Sequence, residues 1–104
     1  MPQIRIVQCP SSVAAGAAFT VDVVVENSAA QQHVELELRR FDLAAGTGPW
    51  SATAVIGSSG RGEARFTGVT LSGHGQANLK CSSTTHLCIP DARSVLVHGA
   101  GGLA

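Results

Sequence analysis

The sequence predicts an all-β domain built as a two-sheet antiparallel sandwich of about seven strands. Apolar and polar residues alternate with period two in several runs, the pattern of strands with one dry and one wet face. Turn clusters fall roughly every 8–12 residues between those runs. Val, Thr and Gly are plentiful, and no apolar face recurs at helical spacing.

Taken in order, Gln3–Gln8 opens the domain and Cys9-Pro10-Ser11-Ser12 ends that first strand. Residues 13–18 are rich in Ala, but Gly16 interrupts them and they show no helical stripe. Phe19–Glu26 alternates, with Val21, Val23 and Val25 in one phase. Residues 33–39 alternate without fault and put Val34, Leu36 and Leu38 on one face. A slip at Arg39-Arg40 would bring Phe41 back toward the core. Residues 51–56 form a short strand ahead of the turn Gly57-Ser58-Ser59-Gly60. Within 63–71, Ala64 and Phe66 share one phase and Val69 and Leu71 the other, so a bulge is expected at Gly68. Residues 76–81 turn Ala77, Leu79 and Cys81 inward, and 94–98 close the sheet. The domain is expected to span 1–98. The Gly-rich stretch 99–104 follows as a mobile tail or docking arm.

A chain of 104 residues has room for one core. Seven basic side chains balance seven acidic ones, so no net field draws nucleic acid or an anionic membrane, and neither is expected as a partner. No stretch approaches the roughly 18–20 apolar residues of a membrane helix. The start, Met1-Pro2-Gln3-Ile4-Arg5, lacks the order of a secretory signal. An unexported, complete small gene product is the expectation.

Two stretches resemble the immunoglobulin-like (Ig-like) modules of bacterial surface proteins and phage particles. In the first, Pro10, Val13 and Ala15-Gly16 precede Phe19-Thr20-Val21 and Val23, similar to the passage into the second strand of such modules. In the second, Ala64, Phe66, Gly68 and Leu71, then Gly75 and Leu79, are similar to the passage between the fifth and sixth strands. The resemblance covers under half the chain and implies an Ig-like sandwich. The fold carries many unrelated tasks, so the resemblance alone fixes no function. One departure is Ala77, where the family places an aromatic residue. The tyrosine-corner hydrogen bond is therefore missing and that corner is expected to be looser.

No catalytic constellation emerges. His74, Cys81, His86 and Cys88 could offer zinc a tetrahedral ligand set, but Cys81 and Cys88 lack knuckle spacing and His74 lies across a strand. Cys81 and His86 faintly resemble a copper loop, yet the only Met is Met1. No Ser stands in a Gly-x-Ser-x-Gly elbow. Glu35 and Glu37 lie roughly 7 Å apart on one strand face, and Arg39 continues the row as a solvated face. Neither metal nor cofactor is expected, and the chain is read as a non-enzyme. A hairpin brings the backbones at Cys81 and Cys88 together, leaving open a disulfide or two free thiols; Cys9 reads as a small inward residue.

What remains is contact. Val7, Val24 and Leu96 fall on the outward phase and would form a patch if they cluster. Trp50, after Gly48-Pro49, is either a core plug or an exposed anchor for a partner or sugar. With the resemblance, these features imply a structural protein in a virion. It would decorate a phage capsid or tail assembly, or pair with copies of itself, after being made in the host cytoplasm. The alternative is a spacer or carbohydrate-binding module of a bacterial surface or secreted protein.

Overall fold

The structure, a computed structural model, describes residues 1–29, 32–41 and 49–99. The period-two runs become strands: β1 (Gln3–Gln8), β2 (Ser12–Ala14), β3 (Phe19–Glu26), β4 (His33–Arg40), β5 (Trp50–Val55), β6 (Gly62–Val69), β7 (Gly75–Ser83) and β8 (Asp91–His98). They form a three-stranded sheet, β1-β3-β6, and a five-stranded sheet, β2-β8-β7-β4-β5. No described residue is helical.

One apolar layer holds the sheets together. Ile4, Ile6, Val21, Val23, Val25 and Phe66 enter it from the three-stranded sheet. Val34, Leu36, Leu38, Leu79, Val95 and Val97 meet them from the other. These are the residues that alternation selects, since a strand sends every second side chain to the same face. Ala77 and Cys81 are buried as expected, and Cys9 packs against the layer's margin.

The Gly68 bulge is present. Phe19 pairs with Val69 and Val21 with Phe66, so two residues of β6 oppose one of β3 at this step. Gly68 takes φ +67°, a conformation that a Cβ disfavours. The bulge resets the phase, and Val69 and the following Leu71 are both buried.

Three expectations need correcting. First, there are eight strands among the described residues, not about seven, and one pair is parallel. The addition is β2, whose 3 residues run parallel to Leu96, Val97 and His98 of β8. Three residues are too few to show alternation. Second, no slip occurs at Arg39-Arg40. β4 keeps its register with β7 through Arg40↔Leu79, and the Phe41 N–H donates to the Asn78 carbonyl at 3.0 Å. Phe41 therefore stays on the outward phase and is 54% exposed. Third, Val24 points outward but is not exposed, at 1%. It lies on the middle strand, flanked in register by Arg5 and Glu63, and it is not part of the inter-sheet core.

Candidate contact surfaces

Val7 stands at a second bulge. Ile6 pairs with Val23 and Gln8 with Asp22, leaving Val7 as the extra residue, turned outward and 49% exposed. It borders an open depression of about 460 Å³ on the three-stranded sheet, lined also by Gln8, Asp22, Glu63 and Arg65. Arg65 grips Asp22 at two points, Nε to Oδ1 at 2.7 Å and Nη2 to Oδ2 at 3.3 Å. That hydrogen bond, then the carboxylate charge, raises the guanidinium pKa above its ordinary value. A second depression of about 520 Å³ shares Gln8 and is lined by Cys9, Pro10, Ala18, Phe19 and Thr20. Burial pushes the Cys9 thiol up, against a lowering by Arg93. Both hollows are wide and shallow, so they offer contact area rather than enclosure.

The expected contact residues do not converge on one patch. Val7 sits on the three-stranded sheet, whereas Leu96, 40% exposed, is on β8 of the other sheet between Ser12 and Gln76. Trp50 opens β5 opposite Leu38 and is half-buried against the edge of the core.

At the end of β7, hydroxyls serve the backbone. Ser83 Oγ donates to the Glu35 carbonyl at 3.0 Å and accepts the His86 N–H at 3.0 Å. Thr85 Oγ1 accepts the Glu35 N–H at 3.1 Å and lies 2.8 Å from His86 Nδ1. Thr53 donates to the Glu35 carboxylate at 2.8 Å. Ser83 and His86 are thus committed to shaping this turn. His74 precedes β7 while His86 follows it, so the four candidate zinc ligands are not assembled. Among the described residues, no group of three or more His, Cys, Asp or Glu could hold a metal.

Cys9, Cys81 and Cys88 are free thiols in this structure. Burial raises the Cys88 thiol, against a lowering by its hydrogen bond to Ser83. Cys81 is wholly buried in the core.

A feature with no local sequence signal binds the two sheets at β1. The Ile6 N–H donates to Asp91 Oδ2 at 2.8 Å, and Arg93 donates to the Ile6 carbonyl. Nearby, the Ile4 N–H donates to the Ile89 carbonyl and the Ile89 N–H to the Pro2 carbonyl, both at 2.9 Å. Asp91 and Arg93 thus satisfy backbone groups that β1 would otherwise leave open. Because 85 and 87 residues separate the partners, sequence spacing could not reveal them. Asp91→Ala should cost about 1–3 kcal/mol by stranding the Ile6 donor. Urea unfolding measures it, and an unchanged midpoint would show that the clamp contributes nothing.

No protein-family model and no curated protein sequence matches the chain. Among solved structures, it is similar to part of the crystal structure of a β-glucosidase from Listeria innocua, with a TM-score of 0.66 and 13% identity. The match covers 96% of this chain and 16% of that enzyme's chain. Such identity speaks for the fold alone.

Proposed function

We propose that this chain is an Ig-like, non-enzymatic interaction module that decorates a phage capsid or tail as an accessory virion subunit. The observation behind it is the outer face of the three-stranded sheet. There Val7, outward by alternation and standing at a bulge, borders one of two shallow hollows that share Gln8. Such a face suits a broad protein partner better than a small substrate, which needs enclosure. The resemblance of residues 10–23 and 64–79 to modules on phage particles supplies the partner class. In this reading the purified protein co-sediments with particles, and Val7→Asp releases it while its melting temperature holds. Protein left at the top of the gradient beside every particle tried overturns the reading.

A second reading is an accessory spacer or carbohydrate-binding module of a bacterial surface or secreted protein. It is favoured by a match that takes in nearly this whole chain and only 16% of a larger bacterial protein. In that reading a glycan array gives a specific signal that Trp50→Ala abolishes.

A further inference from the structure

The pairing of β7 with β8 ends at Cys81 and Asp91, and beyond them the chain opens into a loop. Cys81 and Ser83 share the inward face of β7, since they lie opposite Leu38 and Leu36 of β4, both buried. Cys88 returns to that same face. Its thiol bonds the Ser83 side chain, and it packs against the apolar layer that contains Cys81. Two cysteines thus line one end of the core, Cys81 wholly buried and Cys88 half-buried.

The loop is pinned on both sides of Cys88 but not at it. Before it, the Thr84 N–H donates to the Glu35 carbonyl and the His86 N–H to Ser83 Oγ, both at 3.0 Å. After it, the Ile89 N–H donates to the Pro2 carbonyl and the Ile89 carbonyl accepts the Ile4 N–H, both at 2.9 Å. Among the described residues, no backbone–backbone hydrogen bond holds Leu87 or Cys88. A disulfide requires Cα atoms about 4.4–6.8 Å apart. Two neighbours on one strand face stand about 7 Å apart, so a thiol held at Ser83 is one such step from Cys81. Fixed ends and a free middle let Cys88 exchange Ser83 for Cys81 by a local shift.

We propose that Cys81 and Cys88 are an oxidisable pair, which a small-molecule disulfide converts into a staple across the β7–β8 loop. Cys88 reacts first. Its thiolate attacks the small disulfide, whose S–S bond breaks, and one thiolate leaves. Cys81 then gives up its proton to water and attacks Cys88 Sγ, expelling the second thiolate. Two cysteine thiols are oxidised, one disulfide is reduced, and the leaving thiolates take up the two protons. The order follows burial, because the wholly buried Cys81 is out of reach of a dissolved reagent. In a reducing cytosol the thiols persist, and outside it the bond closes. The staple fixes the residue before Ile89, and with it the loop's hold on β1. It serves either function proposed above, since a virion and a secreted protein both end outside the cytosol.

Residues 81–93 form one tryptic peptide, so the bond can be read directly from its mass. The reduced protein is incubated while folded with oxidised glutathione, then alkylated and digested. The peptide should have lost two hydrogens and carry no alkyl group, while Cys9 stays outside the bond. The melting temperature should rise by roughly 5–15 °C, the size expected for closing a short loop, and fall back with dithiothreitol. Cys88→Ser should abolish both effects, and Cys9→Ser should leave both intact. If Cys88→Ser fails to fold, the wild-type peptide mass decides. An alkylated Cys81, a glutathione adduct retained at Cys88, or a bond that leaves the melting temperature unmoved overturns the proposal.

Discussion

Phe66→Ala should remove about 3–5 kcal/mol of folding stability, the range for truncating a buried aromatic whose site cannot collapse. Phe66 is 1% exposed and heads the fully buried side chains by volume. It pairs with Val21 just before the Gly68 bulge, so residues fixed in both sheets surround the space it would vacate. A domain of this size is stable by about 5–15 kcal/mol, and the loss is a large fraction of that. The melting temperature should fall by roughly 12–40 °C at the usual 4–8 °C per kcal/mol. Val7→Ala and Leu96→Ala, by contrast, should change stability by no more than about 0.5 kcal/mol, because both positions are exposed. If Phe66→Ala melts with the wild type, the shared apolar layer is not what holds the sheets.

Alkaline pH should produce a loss of similar size through Cys81. Burial first, then the Asp91 carboxylate and Cys88, pushes this thiol up from 9.0 to about 12. An unfolded chain releases the proton near the ordinary value, whereas the folded chain retains it. The contribution is therefore fully present below pH 9 and is lost as pH climbs toward 12, at about 1.4 kcal/mol per unit. The whole span amounts to about 4 kcal/mol. Cys9 and Cys88, also raised, add to the slope in the same direction. Urea midpoints from about pH 8 upward would record it. Cys81→Ala should flatten most of the slope, whatever it costs at neutral pH; an equally steep slope in the variant would assign the loss elsewhere.

Much of the fold was legible because alternation is a local property. The runs around Val23 and Leu36 show their buried face directly, and the phase change at Gly68 needed only nearby residues. Exposure was harder to read than phase. Val24 does point outward, but it is buried on the middle strand of its sheet, a place that depends on the pairing of β3 with both β1 and β6. Phe41 was expected near the core through a slip at Arg39-Arg40, and only the register with Asn78 and Leu79 decides otherwise. Asp91 and Arg93 precede the run 94–98, where the sequence shows its closing strand. Their roles as sheet partners of Cys81 and Leu79 and as the clamp on Ile6 depend on where β1 arrives in space. The candidate surfaces were legible only in part. Val7 and Leu96 were recognised singly, and their separation onto different sheets is a matter of topology.

The parallel course of β2 beside β8 has a mechanical consequence. Tension that enters before Gln3 and leaves after His98 would slide β2 along β8 rather than peel it away. The Ile4–Ile89 bond and the grip of Asp91 and Arg93 on Ile6 lie along the same seam, so these links would be strained together instead of one by one.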